Sequence, residues 1–111
     1  MRNIGAVVLA AGGSSRFGKA KQLATFRGET LIRRMVRAAV EAGCDPIVVV
    51  VGEIGDAIRQ ELGETNAAIV ENAEWQRGLG TSIRLGLQEV SGSADAVVLL
   101  TCDQPLVDSS V

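Results

Sequence analysis

The hydrophobic residues of the chain form four short continuous runs, separated by segments with helical periodicity. The runs are rich in valine and do not alternate with polar residues, which is typical of strands buried on both faces of a sheet. They are Ala6–Leu9, Ile47–Val51, Ala68–Val70 and Ala96–Leu100. This pattern predicts a mainly parallel sheet with helices on both sides.

Three helices are predicted between these strands, because apolar residues there recur three and four positions apart. Glycine or a Ser-Gly-Ser segment ends each helical pattern. The helical patterns are Leu31–Val40 before Gly43, Ile54–Leu62 before Gly63, and Leu79–Val90 before Ser91–Ser93. Alternation of strands and helices implies right-handed crossovers, so the predicted fold class is α/β, a Rossmann-like three-layer sandwich.

The 111 residues fit a single domain, and we expect that domain to be incomplete. Only a few residues follow the fourth strand, and the apolar residues among them, Leu106, Val107 and Val111, have no later predicted element to pack against. Strands buried on both faces need more cover than three helices provide. We therefore expect either a longer protein whose C-terminal half completes the sheet, or a partner chain that covers the open edge.

Composition and charge exclude several classes of partner. The net charge is -2, aromatic residues make up 3%, and the basic residues are scattered beyond Lys21, so no nucleic-acid-binding face is predicted. No apolar run is long enough to span a membrane. The N-terminus resembles a weak secretory signal, but its apolar run Ile4–Ala11 is short and Arg16 follows closely.

The two cysteines, Cys44 and Cys102, lie far apart in a chain without histidine. This spacing does not suit a zinc site. Both cysteines lie beside apolar runs, so we expect two buried thiols in a reducing, cytoplasmic environment.

A run of small residues follows the first predicted strand, at the edge where parallel sheets bind ligands. Its backbone N–H groups lie open to a close anion. Arg16 and Lys21 come next and suit phosphate oxygens. A phosphate-rich ligand is therefore predicted, and a glycine turn with solvated basic residues is the alternative. The small residues are Ala10, Ala11, Gly12 and Gly13.

A P-loop NTPase is the nearest rival interpretation of this segment. Gly13, Gly18 and Lys19 satisfy the G-x-x-x-x-G-K pattern, and Asp103 after the fourth strand resembles the acidic partner. However, Ala20 stands where a P-loop has the Ser or Thr hydroxyl that binds magnesium. The P-loop is therefore the least favoured function.

Several motifs in order resemble the MobA/MocA-like nucleotidyltransferase family, which includes the molybdenum cofactor cytidylyl- and guanylyltransferases. "VVLAAGGSSRFGKAKQL" is similar to the signature L-A-A-G-x-S-x-R-[MF]-G-x-x-K of that family. "VENAEWQRGLGTSIRLGL" and "VVLLTCDQPLV" are similar to its later segments. The resemblance covers nearly the whole chain and implies a sheet of the nucleotide-diphospho-sugar-transferase type, ending here after the fourth strand.

The resemblance implies a role for each matched residue near the phosphates. The backbone from Leu9 to Gly13 would hold the triphosphate and part of the base. Arg16 and Lys21 would stabilise the α-phosphorus in the transition state, and Asp103 would hold Mg²⁺.

The resemblance also places the base against the segment Gly78–Ser82. Ser82 would lie near the pyrimidine edge and Gly78 would make room for it, whereas capping of the helix by Thr81 or Ser82 is the alternative. Asn72 would contact the base or ribose, or only turn the chain, and the turn is favoured. Trp75 is expected to pack under the loop.

The implied reaction is attack of a phosphorylated acceptor on the α-phosphate of an NTP, with release of pyrophosphate. The acceptor phosphate is already anionic, so the reaction needs no general base, in agreement with the lack of histidine. "LAAG", "SIRLG" and "DQP" favour CTP over GTP and molybdopterin as acceptor, although Cys102 before Asp103 is more typical of the guanylyl branch.

Residues 1–111 correspond to the NTP-binding half of such a domain, and the acceptor half of the family falls after Val111. We therefore expect this segment alone to bind nucleotide weakly and not to complete a turnover. The alternative function, from another class, is a non-catalytic nucleotide-binding module completed by another subunit.

Overall fold

The computed structural model describes residues 3–11, 23 and 25–101, and this part of the chain contains six strands and three α-helices. The predicted strands and helices are all present, with bounds that agree to within two residues. The strands are β1 (Ile4–Ala10), β2 (Thr25–Phe26), β3 (Glu29–Thr30), β4 (Ile47–Val51), β5 (Ala68–Glu71) and β6 (Ala96–Thr101). The helices are α1 (Leu31–Glu41), α2 (Gly55–Leu62), α3 (Leu79–Val90) and a short 3-10 helix at Trp75–Arg77.

Four of the strands form one parallel sheet in the order β5-β4-β1-β6. The central strands β1 and β4 are almost entirely buried, which explains their uninterrupted apolar sequence. The parallel sheet predicted from the valine-rich runs is therefore confirmed.

Helices cover both faces of this sheet, so the predicted three-layer sandwich is confirmed. On one face α1 and α2 pack against a core made of Val8, Ala10, Ile32, Val36, Val49, Val51, Ile58 and Leu62. On the other face α3 packs against a core made of Val7, Leu9, Ala11, Val48, Val50 and Val90. Successive side chains of β1 enter opposite cores, as the alternation of a strand requires.

A small antiparallel hairpin, β2–β3, precedes α1 and was not predicted. Its two loop residues, Arg27 and Gly28, have φ values of 56° and 83°, which is the geometry of a type I′ turn. Strands of two residues are too short to leave a hydrophobic pattern. The hairpin leads directly into α1, where the Thr30 hydroxyl accepts a hydrogen bond from the Arg33 N–H at 3.3 Å and caps the helix.

Among the described residues, 3–11, 23 and 25–101, strand β6 pairs with β1 alone, so its other edge is open there. Val98 is 41% exposed and Leu99 is 42% exposed. Val98 lies beside Ala6 and Leu99 beside Val7, so the two exposed side chains point to opposite faces of the sheet. This is the open side that the sequence pattern predicts.

Two further expectations concern the surface and the thiols. None of the helices in the described part of the chain is long and apolar enough to cross a bilayer.

Cys44 is half-buried beside Ala6, Ala39 and Ile47, so the expectation of a fully buried thiol is wrong for this residue. Cys102 lies outside the described residues.

Candidate functional site

The order of the strands reverses at β1, and this reversal locates the candidate site. From β1 the chain adds β4 and β5 on one side, and then returns to add β6 on the other. Such a switch point opens a crevice at the carboxyl ends of the two strands, where α/β proteins bind ligands. Leu9 in β1 lies beside Thr101 in β6, so both strands end at the same edge of the sheet.

The end of β1 presents its backbone to this edge. Leu9, Ala10 and Ala11 are each at most 7% exposed, and their side chains pack into the two cores. A ligand at this position would therefore meet peptide groups and not side chains. The remaining predicted residues of the phosphate site lie outside the described residues, and their roles stay predictions: Gly12, Gly13, Arg16, Lys21 and Asp103.

Gly52 allows the residues around this edge to approach one another closely. A β-carbon on Gly52 would lie 2.7 Å from the Ala11 carbonyl oxygen and 2.8 Å from Cγ of Trp75. Trp75 is half-buried and packs against the core that includes Leu9 and Ala11 at the end of β1. Gly52 was not among the predicted site residues, although a glycine directly after a buried strand at the ligand edge is a sign that another segment approaches closely.

Asn72 connects the end of the sheet to the start of α3. It is 6% exposed, and its backbone N–H donates to the Val51 carbonyl at 2.8 Å. Its side-chain oxygen accepts from the Glu74 N–H at 2.9 Å, which closes a turn. Its side-chain nitrogen donates to the hydroxyls of Thr81 and Ser82, at 2.9 Å and 2.8 Å. The turn favoured for Asn72 is therefore present, and its contact with a nucleotide stays a prediction.

The start of α3 has no side-chain cap. Gly78 is the N-cap residue, with φ 122° and ψ 166°, a conformation that favours glycine. The Thr81 hydroxyl donates back to the Gly78 carbonyl at 2.8 Å instead of accepting from the first turn. The alternative that Thr81 or Ser82 caps the helix is therefore wrong.

Ser82 lies on the inner side of α3. It is 2% exposed, and its hydroxyl accepts the hydrogen bond from Asn72. The exposed residues nearby are Gly78, Leu79 and Gly80. A contact between Ser82 and a base stays a prediction, and the observed partner of its hydroxyl is Asn72.

A divalent cation at this edge would depend on residues beyond β6. In the part of the chain that the structure describes, no group of three or more His, Cys, Asp or Glu residues lies together as a metal site. Magnesium in nucleotide sites needs only one or two carboxylates, because phosphate oxygens and water complete its coordination. The predicted ligand Asp103 follows Thr101 by two residues, and Thr101 ends β6 beside β1.

Comparison with protein families decides the class of this chain. Residues 6–111 match the family model of the MobA-like NTP transferase domain. The chain belongs to the MobA-like NTP transferase family. This result confirms the family indicated by the motifs, and it agrees with the α/β fold and the switch-point crevice.

Individual relatives match most of this chain and only part of their own length. The bifunctional protein GlmU of Streptomyces avermitilis is 36% identical over 112 residues, which cover 96% of this chain and 23% of GlmU. The nicotine blue oxidoreductase of Paenarthrobacter nicotinovorans is 30% identical over 100 residues, which cover 89% of this chain and 48% of that protein. The chain therefore spans about a quarter of the length of GlmU and about half the length of the nicotine blue oxidoreductase.

A solved structure shares the same fold. Rv0371c from Mycobacterium tuberculosis superimposes with a TM-score of 0.81 at 32% identity, over 95% of this chain and 53% of that chain. A second structure of Rv0371c, a complex with manganese, has a TM-score of 0.68 at 33% identity over 93% of this chain and 52% of that chain. These neighbours share the α/β fold of this chain.

Proposed function

We propose that this protein transfers a nucleotidyl group from an NTP to a phosphorylated acceptor and releases pyrophosphate, with CTP favoured over GTP and molybdopterin as the favoured acceptor. The observation that carries the proposal is the pairing of Leu9 with Thr101 at the switch point. It brings the ends of β1 and β6 to one edge, where the small-residue segment and the segment "CDQP" follow them. Family membership supports the class of reaction.

The reaction requires alignment and charge neutralisation more than proton transfer. An acceptor phosphate oxygen forms a new bond to the α-phosphorus, and the bond from that phosphorus to the bridging oxygen of the β-phosphate breaks. The electron pair leaves with pyrophosphate. The acceptor is already anionic near neutral pH, so no histidine or other general base is needed.

Different residues of the chain would bind the phosphates, neutralise their charge and hold the metal ion. Peptide groups from Leu9 to Gly13 would hold the phosphates, because small side chains let the backbone approach an anion closely. Arg16 and Lys21 would neutralise the oxygens of the α-phosphate as the bond forms. Asp103 would hold Mg²⁺, which, when bound, screens the triphosphate charge and orients pyrophosphate for departure.

The choice of nucleotide rests on the motifs around the base. The segment Gly78–Ser82 begins α3 at the ligand edge, and its glycine backbone is exposed. "LAAG", "SIRLG" and "DQP" favour CTP, and the cysteine before Asp103 is the feature that favours GTP. The acceptor is inferred from the same resemblance.

The test is to incubate the full protein with Mg²⁺, molybdopterin and either CTP or GTP, and to follow pyrophosphate. We expect release that requires both nucleotide and acceptor, and that is faster with CTP. Omitting molybdopterin is the control.

Three other outcomes would each change the proposal. Nucleotide binding without turnover would support the non-catalytic module completed by another subunit. Phosphate release from ATP without an acceptor would support the P-loop NTPase. If pyrophosphate is released with another phosphorylated acceptor and not with molybdopterin, nucleotidyl transfer is still the reaction, but molybdopterin is not the acceptor.

A further inference from the structure

The side chain of Asn72 has no N–H group left for a ligand. An amide side chain carries two N–H donors. Both are used inside the protein, one on Thr81 Oγ1 at 2.9 Å and one on Ser82 Oγ at 2.8 Å. The amide oxygen accepts from the Glu74 N–H, and the residue is 6% exposed.

Asn72 is also hydrogen-bonded to a fully buried strand of the sheet. Its N–H donates to the carbonyl of Val51, the last residue of β4, at 2.8 Å. Val51 is fully buried at the centre of the domain. Asn72 therefore relates the position of the first turn of α3 directly to the carboxyl end of β4.

Asn72 holds in place the exposed glycine segment, Gly78–Gly80, at the start of α3. Thr81 Oγ accepts from Asn72, and its own proton can be donated to the Gly78 carbonyl oxygen at 2.8 Å or to the Glu74 carbonyl oxygen at 3.1 Å. A β-carbon on Gly78 or Gly80 would meet nothing within 4 Å, so this backbone faces open space. Gly78, at the N-cap, has no side chain to restrain its peptide groups.

We propose that Asn72 and Thr81 are positioning residues for the nucleotide. They fix the peptide groups of Gly78–Gly80, which contact the base, and neither residue touches the ligand itself. Ser82 belongs to the same network, because its buried hydroxyl accepts from Asn72. This inference rests on the proposed function and refines it, since it assigns base recognition in this segment to the backbone.

A positioning role differs from direct contact in how two substitutions combine. Asn72 and Thr81 act through one hydrogen-bonded chain, so removing either breaks the same restraint. Two residues that each contact the ligand separately would lose binding additively, whereas members of one network do not. The double variant is therefore the informative comparison.

The experiment measures the affinity of the full protein for CTP with Mg²⁺ by titration calorimetry. Asn72→Ala and Thr81→Val are each expected to weaken binding roughly fivefold to tenfold, the loss typical of one hydrogen bond. The double variant is expected to lie within about twofold of Asn72→Ala. Thr81→Ser keeps the hydroxyl and should restore wild-type affinity.

The matched control is Thr65→Val. The Thr65 hydroxyl also accepts a backbone hydrogen bond, from the Ala67 N–H at 3.2 Å, but it lies before β5 at the opposite end of that strand. This variant should bind CTP like the wild type. Thermal unfolding identifies any variant that fails to fold, and the Thr81→Val and Thr81→Ser pair decides the question if Asn72→Ala does not fold.

Hydrogen exchange of ligand-free protein supplies a second readout that needs no nucleotide. The amides of residues 78–81 should exchange roughly tenfold faster in Thr81→Val than in the wild type, and at the wild-type rate in Thr81→Ser. Unchanged exchange in Thr81→Val, or additive losses of affinity in the double variant, would overturn the positioning role. If the wild type binds no NTP although exchange responds as expected, the proposed function fails while the restraint on this segment stands.

Discussion

A β-carbon on Gly86 would lie 2.4 Å from Cγ1 of Val7, so α3 contacts the central strand at a position where no side chain fits. The same carbon would lie 3.2 Å from Cγ2 of Val50. Val7 and Val50 are both fully buried and cannot move into open space. The contact sets the distance between α3 and the sheet, and with it the position of the segment that begins α3.

Gly86→Ala should therefore destabilise the protein, although alanine is the better helix former. Overpacking costs about 1–3 kcal/mol, and the contact at 2.4 Å places this site at the upper end of that range, whereas the gain in helix propensity returns about 1 kcal/mol, so we expect a net loss of up to about 2 kcal/mol. Urea unfolding of the full protein measures this change. Gly80→Ala in the same helix has open space around its β-carbon and is the control, with an expected gain of about 0.5 kcal/mol. Equal effects at the two positions would contradict the packing argument.

Gly52→Ala should disturb the ligand edge directly. The new methyl group would meet the Ala11 carbonyl oxygen at 2.7 Å and Trp75 Cγ at 2.8 Å, so the end of β1 or the tryptophan must shift. We expect a loss of about 2 kcal/mol in the free energy of unfolding and weaker binding of CTP with Mg²⁺.

The only tryptophan of the chain, Trp75, reports on this change. Its fluorescence spectrum should shift in folded Gly52→Ala relative to the wild type. An unchanged spectrum together with unchanged CTP affinity would show that the close approach of Gly52 does not shape the site.

Lys21→Ala and Lys19→Ala separate the two interpretations of the basic segment. In the proposed transferase Lys21 neutralises the α-phosphate, so Lys21→Ala should lower turnover at least tenfold, or about 1.4 kcal/mol or more in the activation barrier. Lys19 is expected to be solvated, and Lys19→Ala should change turnover by less than about twofold. Pyrophosphate release in the complete reaction measures both. The reverse order of effects would favour the P-loop.

Asp103→Asn should remove the dependence of nucleotide binding on magnesium. The amide is similar in size to the carboxylate but lacks the charge that holds a hard cation, so CTP affinity in the presence of Mg²⁺ should fall to its value in EDTA. Asp95→Asn is a suitable control, because the Asp95 carboxylate accepts from the Asn3 N–H at 3.0 Å, near the start of β6. Magnesium-dependent binding that survives in Asp103→Asn would refute the assigned ligand.

Arg37 controls the titration of Glu29. Its guanidinium donates to both oxygens of that carboxylate, at 2.6 Å and 3.1 Å, and this hydrogen bonding lowers the pKa of Glu29 from its ordinary value of 4.5. A carboxyl pKa that is lower in the folded state stabilises the fold above the ordinary pKa, and this contribution is lost as pH falls through the lowered value.

Arg37→Met should therefore raise the pKa of Glu29 towards 4.5 and remove this acid-dependent contribution. NMR titration of the Glu29 carboxyl carbon measures the change. Arg34→Met is the graded control, because Arg34 lowers the pKa of Glu29 through charge alone and should give a smaller rise. An equal rise in both variants would show that the hydrogen bonds to Arg37 are not the main cause.

The sequence predicted the main strands, the helices and the α/β fold class, but it did not predict which distant segments contact one another. The hairpin at Thr25–Thr30 was not predicted, because strands of two residues are too short to show a periodic pattern. Asn72 left two roles open because an asparagine after a strand suits both a turn and a ligand. Gly52 and Gly86 were not singled out, because the sequence shows only that one glycine follows a buried strand and the other lies within a helical pattern, and not which distant segment approaches each of them.

The sequence by itself determined the strands, the helices, the three-layer class and the family, because strands buried on both faces must be continuously apolar and because the family motifs are local. Only the tertiary structure decided that β1 lies between β4 and β6, that α3 rests on Val7 at Gly86, and that the Asn72 amide joins Thr81 to Ser82. The reason is physical: strand order and side-chain partners depend on which distant surfaces pack together, and many pairings of similar apolar and polar residues satisfy the same local pattern.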